Sequence, residues 1–550
     1  MLNEGSGRFT PSLATFEGDQ RSAGALAAPK QRSNFKNTVT DIKRLIGKKY
    51  SDPEVQRIIK HLHYKVKQSE TDEIGIVVNF EGKSRTFLPE QIVAMQLANV
   101  ASFTAEHTKL PVSDMVISVP MYFDEKQRKA MLDACKIAGV PCRRLVNDTT
   151  ATALSYGILR KKDFTKDKPV RVMFLDMGYN DFQVAIVAFT QDGMRVEGSA
   201  SDKSLGGFDF DYRLAEFLNS KFMEKVKVDL RQHPKSWIKL MQAAAKAKIT
   251  LSPKGVDRAR INLECIYRDH DFRYEVRIEE LAELTQDLIP RIKTTIETAF
   301  SDANLTKADL KSCEATGGSI RMRFVKDKIA DILGNEIMSF TLNQDECTAR
   351  GCAIISAMLS PKVKVQPYKI EDCVRNAVKL TWQKCGGMEN SLVVFKKNAT
   401  YPKEVQVTFK RTKSFTLNAV YDDVTSLPKG TSALLGSFDV DMSNAKDAVL
   451  EREKEGEKPN EVRVFVSCDQ NALVSVSSAE YMKKNKQPEL EPEPVAAEKQ
   501  EAEAKKDDKK EEQQEEGESK NENDDKKKVC FFSLSSISHK QCHEDQKLPI

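Results

Sequence analysis

Residues 170–187 read VRVMFLDMGYNDFQVAIV. Two apolar runs, 170–175 and 182–187, flank the polar corner 176–181, which is the pattern of a β-hairpin. Asp176 closes the first strand and Gly178 follows it, a sequence typical of a loop that approaches a phosphate. Asp181 adds a second carboxylate, which would repel a phosphate. The corner therefore predicts an anion-binding loop that contains one opposing charge.

Composition sets the class of protein. The chain has 550 residues, of which 40% are hydrophobic and 30% charged, which predicts a globular protein of about two to four domains. The net charge of +5 is too small to indicate nucleic-acid binding. We find neither a signal-peptide pattern nor an apolar run of about 18–20 residues, so we expect no membrane partner and a cytoplasmic or nuclear location. The eleven cysteines have no metal-site spacing and indicate reduced thiols.

The residue pattern and the composition change three times along the chain. Residues 1–362 alternate strand-like and helical patterns, which predicts an α/β fold. Residues 363–485 carry short alternating runs, which predict an antiparallel β-sandwich. Residues 486–528 hold few apolar residues and many charges, so we expect a disordered segment, and the tail 529–550 has no period that places it. In the first part we expect strands at 115–119, 170–175 and 260–265, and helices at 125–138, 211–226 and 278–300.

Two further glycine corners lie in the α/β part. Residues 204–209, SLGGFD, precede a helical pattern, and residues 315–321, ATGGSIR, follow a short apolar run. Each corner leaves free backbone N–H groups beside a helix start, where an anion can bind. A single Gly-Gly corner is more often a plain turn, but three corners together with Asp176 indicate a nucleotide site.

Six motifs follow one another along the α/β part: NTVTDIKRLIG at 37–47, ISVPMYF at 117–123, RLVNDTTATALSYG at 144–157, the corners at 205–207 and 317–319, and NQDECTARG at 343–351. Their order resembles that of the seventy-kilodalton heat-shock chaperones. The long charged segment and NLEC at 262–265 resemble the large, one-hundred-and-ten-kilodalton branch. The resemblance implies an actin-like, two-lobed ATPase fold that binds ATP and Mg²⁺, followed by a polypeptide-binding β-sandwich. It also implies nucleotide exchange for a smaller heat-shock chaperone and the holding of unfolded polypeptides.

The resemblance also assigns site residues. Lys43 matches the lysine that reaches the γ-phosphate, Asp176 the acid that orients water or the hydrated metal, and Asp148 replaces a glutamate beside it. Lys43 is otherwise a surface lysine of an amphipathic helix, and a lone aspartate such as Asp345 is more often a helix cap. The matched nucleotide-binding positions are Gly178, Gly206, Gly207, Lys248, Ser252, Gly317, Gly318, Ser319, Arg321 and Asp345.

Departures from the family pattern predict a weak ATPase. Tyr179 and Asn180 replace glycines, Asp181 replaces a threonine, and Gln183 replaces an aspartate. Like charges about 4 Å apart cost about 4 kcal/mol at an effective dielectric constant of 20, so Asp181 opposes a γ-phosphate. In the adenosine helix, alanine and isoleucine stand where a glutamate and an arginine are expected. We expect hydrolysis to be vestigial at most.

The ends of the chain also depart from the family. No residues before Asn34 supply the first phosphate hairpin, and 22 unrelated residues follow the charged segment. These observations predict a chain that is incomplete at both ends. Two interpretations stay open. The first is an ATP-binding chaperone of the large branch. The second is a nucleotide-free holding module or non-functional fragment that acts only through the sandwich.

Overall fold

The computed structural model describes residues 2–383, 389–425, 427, 430–443, 461–482, 531–533 and 537–539. The predicted charged segment 486–528 lies outside these ranges. Among the described helices none is long and apolar enough to cross a membrane.

Residues 14–159 form the first half of the α/β part. Its strands are β1 Ala14–Glu17, β2 Gln20–Ala23, β3 Thr38–Val39, β4 Lys65–Gln68, β5 Ile74–Phe80, β6 Lys83–Phe87, β7 Met115–Val119 and β8 Cys142–Asn147. Its helices are α1 Lys30–Ser33, α2 Pro53–Ile59, α3 Pro89–Thr108, α4 Glu125–Ile137 and α5 Asp148–Leu159. The strands pair in three small sheets, ordered β2-β1-β3, β4-β5-β6 and β7-β8, and their apolar residues share one core with α2–α4.

Residues 170–359 form the second half. Its strands are β9 Val170–Met177, β10 Phe182–Phe189, β11 Gly193–Asp202, β12 Arg258–Tyr267, β13 His270–Arg277, β14 Ser312–Thr316 and β15 Met338–Ser339. Its helices are α6 Gly207–Val226, α7 Pro234–Thr250, α8 Ile278–Leu284, α9 Ile289–Ala303, α10 Arg323–Leu333 and α11 Cys347–Leu359. The predicted hairpin is confirmed, because β9 and β10 pair antiparallel with Asp176 opposite Gln183.

The remaining described strands follow the α/β part. They are β16 Lys369–Cys373, β17 Val378–Gln383, β18 Glu389–Phe395, β19 Thr400–Tyr401, β20 Lys403–Lys410, β21 Phe415–Tyr421, β22 Leu434–Val440, β23 Glu461–Cys468, β24 Val474–Met482, β25 Phe531–Ser533 and β26 Ile537–His539. Two antiparallel sheets, β18-β17-β21-β22-β26 and β20-β23-β24-β25, contribute to one hydrophobic core. The tail, which the sequence left unplaced, adds one short strand to each sheet.

A seven-stranded sheet forms the centre of the molecule, in the order β15-β14-β9-β10-β11-β16-β19. Hydrophobic clusters cover both faces, one with α9 and α10 and the other with α5 and α11. At one edge of this sheet lie β16 and β19, which come from beyond residue 362. The second predicted part of the chain therefore contributes two strands to the sheet of the first. The result is a mixed α/β architecture with several sheets, in which the loops after β9 and β14 meet at one sheet edge.

One predicted helix is wrong in its extent. The pattern at 278–300 forms two helices, because α8 ends at Leu284 and α9 begins at Ile289. Pro290 lies at the start of α9, where a proline fits, but it lacks the N–H that a continuous helix would need. Helix α6 begins at Gly207, four residues before the predicted start, since the Asp209 carboxylate accepts a hydrogen bond from the Gly206 N–H at 2.9 Å.

Candidate nucleotide-binding site

The corner between β9 and β10 carries the carboxylate that the sequence singled out. The Gly178 N–H donates to the Asp181 carbonyl at 3.0 Å and closes the turn. The Asp181 side chain is buried and accepts a hydrogen bond from the Tyr122 hydroxyl at 2.5 Å. Lys43 Nζ lies 3.5 Å from the same carboxylate. Asp181 therefore already holds the lysine that the sequence assigned to a γ-phosphate.

Gln183 links a second carboxylate to this corner. Its side-chain amide donates to Asp148 at 3.2 Å, and its side-chain oxygen accepts from the Met121 N–H at 2.8 Å. Asp148 is the first residue of α5, where the helix dipole favours a negative charge. Gln183 lies opposite Asp176 in the hairpin register, so it fixes the spacing between Asp148 and the end of β9. The amide keeps this link without adding the charge of the aspartate that the family pattern predicts.

Three carboxylates and one ammonium group share this site. Burial, and then the charges of Asp148 and Asp181, raise the pKa of Asp176 to about 7. Burial alone would lower the pKa of Lys43, but Asp181, Asp148 and Asp176 outweigh it and the pKa is raised. Burial, together with Asp181, raises the pKa of Tyr122 well above its usual range. The site therefore carries an excess of negative charge, which favours a cation.

The three glycine corners are interlocked by hydrogen bonds. The Gly207 N–H donates to the Gly178 carbonyl at 3.0 Å, and the Ser319 hydroxyl donates to the same carbonyl at 2.7 Å. A side chain at Gly317, where φ is +84°, would place its Cβ 2.4 Å from the Met177 carbonyl oxygen. A Cβ at Gly318 would meet open space. The three corners, which are far apart in sequence, are therefore brought together in the structure.

Lys248 and Ser252 bind within the protein. Lys248 Nζ lies 2.8 Å from an Asp211 carboxylate oxygen and donates to the Gly207 carbonyl at 3.0 Å. Both charged side chains are buried, and burial raises the pKa of Asp211 although Lys248 opposes the shift. Ser252 donates to the carbonyl of Lys248 at 2.9 Å. Lys248 thus supports the Gly206-Gly207 corner from behind, and Asp211 is a partner that the sequence did not reveal.

Arg321 is held at the opposite edge of the site. Its guanidinium group lies 2.5 Å from an Asp345 carboxylate oxygen and donates to the Gln344 side chain at 2.7 Å. Half of the Arg321 side chain is exposed, and a planar guanidinium group can stack on a base. Arg321 and Asp345, assigned separately from the sequence, form one pair.

An aromatic cluster that the sequence did not indicate joins the two halves beside the corners. The His61 ring lies 4.7 Å from the Tyr212 ring, and the Phe208 ring lies 5.9 Å from the Tyr179 ring. Burial and the nearby charge of Arg44 lower the pKa of His61. Tyr179 of the first glycine corner therefore packs against Phe208 at the start of α6.

The family model described as "Hsp70 protein" matches residues 1–547. The chain belongs to the Hsp70 family. A heat shock protein homolog of Saccharomyces cerevisiae is 38% identical over 440 residues, which cover 80% of this chain and 63% of the relative. "Heat shock protein hsp88" of Neurospora crassa is 37% identical over 448 residues, with coverages of 80% and 62%. "97 kDa heat shock protein" of Strongylocentrotus purpuratus is 35% identical over 485 residues, with coverages of 88% and 53%.

These relatives confirm the resemblance to the large branch of the Hsp70 superfamily. The chain spans about 53–63% of the length of these three relatives.

Proposed function

We propose that this Hsp70-family chain is an ATP-binding chaperone of the large heat-shock branch with vestigial or absent ATP hydrolysis. The observation that carries the proposal is the convergence of Lys43, Asp148 and Asp176 on the interlocked glycine corners. A Cβ built on Gly318 would meet no atom within 4 Å, so a phosphate or a base can approach the backbone there, and the ammonium group of Lys43 suits the charge of a phosphate. In this proposal residues 1–362 form an actin-like, two-lobed ATPase domain.

The residues present fit Mg²⁺ and a nucleotide. Mg²⁺ keeps several waters and binds through one or two carboxylates plus phosphates, so Asp176 would hold it through water with Asp148 nearby. The excess negative charge, which raises the pKa of Asp176, supports a bound cation. Among the described residues, no three acidic, histidine or cysteine side chains are arranged so that they could hold a metal ion by themselves. Mg²⁺ would neutralise phosphate charge, and Gly317, Gly318 and Arg321 would accept the adenosine.

Hydrolysis is disfavoured by the charges around Lys43. In phosphoryl transfer the ammonium group stabilises charge on the transferred phosphate. Here Lys43 lies 3.5 Å from Asp181, whose carboxylate would have to share it with the phosphate. Gln183 cannot act as a general base, because an amide does not accept a proton at neutral pH. The site can therefore bind a nucleotide without efficient turnover.

We further propose that the protein promotes nucleotide exchange on a smaller heat-shock chaperone and holds unfolded polypeptides. The names of the relatives, which are heat shock proteins, support the chaperone class. Residues 363–485 would form a polypeptide-binding β-sandwich, supported by the two antiparallel sheets with a shared core. Residues 486–528 would be a disordered charged tether, and the protein would act in the cytoplasm and nucleus.

A nucleotide-free holding module is the second candidate. Two contacts of Asp181 favour this candidate: Lys43 pairs with its carboxylate, and the Tyr122 hydroxyl donates to it. Both groups therefore already have partners within the protein. In that case the two antiparallel sheets alone would act on clients.

Exchange activity tests the proposal directly. A smaller heat-shock chaperone is loaded with fluorescent ADP, and its release is followed after addition of the full chain with excess ATP. We expect faster release with the wild type and a smaller effect with Lys43→Met, while Lys235→Met, at an exposed position of α7, serves as the matched control. Release at the uncatalysed rate, together with protection of a heat-denatured client, would support the holding module instead.

A further inference from the structure

A cavity lies where the α/β part meets the two antiparallel sheets. Its volume is about 290 Å³, and its wall includes residues from α4, β11, β16 and β24. Several hydrogen bonds cross this boundary. Among them are bonds from the Leu145 N–H to the Asn471 side chain, 2.8 Å, and from the Val474 N–H to the Glu125 carboxylate, 3.3 Å. The cavity is therefore enclosed by elements of both parts, and Tyr122, whose hydroxyl contacts Asp181, separates it from the glycine corners.

The acidic groups on the cavity wall already have partners. The Asp124 carboxylate accepts the Gln127 N–H at 2.9 Å and caps α4. The Glu125 carboxylate pairs with Lys129 at 2.7 Å. Among the described residues, neither carboxylate forms an ion pair with one of the cations on the cavity wall. Both carboxylates on the wall thus contact groups of α4.

The cationic groups on the wall lack such partners. Arg128 donates to the carbonyl of Phe123 at 3.1 Å and to the Asn147 side chain at 2.5 Å, both of which are neutral acceptors. Arg375 donates to the Ser201 hydroxyl at 3.4 Å, and Lys203 Nζ lies 5.1 Å above the Tyr122 ring.

In the described part of the chain, Arg128, Lys203 and Arg375 form no ion pair within 4.0 Å. Burial lowers the pKa of Lys203, and the charge of Lys48 adds to this shift, whereas Glu54 and Asp124 oppose it. Burial also lowers the pKa of Arg375, although Asp302 and Asp372 oppose that shift. Three cations therefore line one cavity together with two carboxylates, and none of the three cations is in ion-pair contact with a carboxylate of the described residues.

We propose that this cavity binds a small oxyanion of the phosphate class through Arg128, Lys203 and Arg375. A phosphate carries almost two charges at neutral pH, and planar guanidinium groups bind it with paired hydrogen bonds. The volume suits inorganic phosphate or the phosphate group of a small metabolite. Because the wall is shared between the two parts, a bound anion would stabilise their contact. This site is separate from the glycine corners and does not depend on the proposed chaperone activity.

Inorganic phosphate tests the proposal on the full chain. Melting temperature and calorimetric binding are measured with phosphate, against chloride at the same ionic strength. We expect a saturable stabilisation of the wild type, and a dissociation constant for phosphate that is at least about tenfold higher in Arg375→Met and in Lys203→Met. Lys235→Met, on the exposed side of α7, should keep the wild-type response, and Lys43→Met reports any phosphate that binds at the glycine corners instead.

Three outcomes would overturn the proposal. They are a wild-type response equal to that with chloride, a phosphate response that survives both cavity variants, and a response that disappears only in Lys43→Met. A missing wild-type response would also be the result if an acidic side chain of the chain itself filled the cavity. If Arg375→Met does not fold, Lys203→Met decides, since its ammonium group contacts a ring and not a carboxylate.

Discussion

Replacing Asp181 by asparagine should strengthen ATP binding. The Asp181→Asn substitution removes one negative charge and keeps an oxygen that can accept the Tyr122 hydrogen bond. It also frees Lys43, whose Nζ lies 3.5 Å from the carboxylate in the present structure. If Asp181 is the residue that opposes the γ-phosphate, its loss must favour the nucleotide-bound state.

The size of the effect follows from the charges. A carboxylate about 4 Å from a phosphate oxygen costs about 4 kcal/mol at an effective dielectric constant of 20. Bound Mg²⁺ offsets part of this cost, and the lost contact with Lys43 in the unbound protein adds to the gain. We therefore expect ATP to bind about tenfold to hundredfold more tightly, which corresponds to about 1.4–2.8 kcal/mol.

Isothermal calorimetry with ATP and Mg²⁺ measures this affinity in both proteins. The control is Asp192→Asn, because that carboxylate is exposed and lies 3.7 Å from Lys166, far from the site in the fold. The control should leave the affinity unchanged. An Asp181→Asn variant that binds ATP no tighter, or more weakly than the wild type, would refute the reasoning and indicate that Asp181 helps to hold the metal.

Three further substitutions test the electrostatics and the backbone of the site. Asp176 has a folded-state pKa of about 7, above its unfolded value of 3.8, so the wild type gains stability as the pH falls from 7 to 4. Chemical denaturation with a chelator present should show Asp176→Asn more stable than the wild type by about 2–4 kcal/mol at pH 8, with the difference vanishing near pH 4. Lys248→Met should lower the free energy of unfolding in urea by about 3–5 kcal/mol, because it leaves Asp211 buried and unpaired. The control is Lys221→Met, in the exposed pair with Glu224, which should change the free energy of unfolding by less than about 1 kcal/mol. Gly317→Ala should lower the free energy of unfolding by at least about 1–3 kcal/mol, because φ is positive there and the Met177 carbonyl is close. Gly318→Ala should keep the fold and weaken ATP binding in a titration. Equal effects of the two alanines would contradict the difference in packing around the two glycines.

Local sequence patterns were sufficient to predict the elements around the site. The hairpin at 170–187 was predicted because two apolar runs flank a turn, and Asp176 ends its first strand as expected. The glycine corners were predicted because glycine permits close backbone contacts, which the structure contains at Gly206 and Gly317. These features depend on neighbouring residues, so one sequence is enough to find them.

Features that depend on distant residues were missed. The contact of Tyr122 with Asp181 joins positions 59 residues apart, and His61 meets Tyr212 across the two halves. The Asp211 partner of Lys248 lies on a different helix. The break between α8 and α9 has a local signal in Pro290, and it was missed because the apolar residues keep a helical spacing on both sides of that proline. Tertiary packing, which no local period encodes, determines these contacts.

Binding of ATP with Mg²⁺, measured together with turnover on the same sample, tests the central claim most directly. We predict a saturable calorimetric signal and a rise in melting temperature, equivalent to about 2.7 kcal/mol at a hundredfold excess over the dissociation constant. Phosphate release should stay at the level of buffer, because Asp181 competes for Lys43. Lys43→Met should weaken binding. The absence of any heat or thermal shift would contradict nucleotide binding at this site, and turnover at ordinary chaperone rates would contradict the role assigned to Asp181.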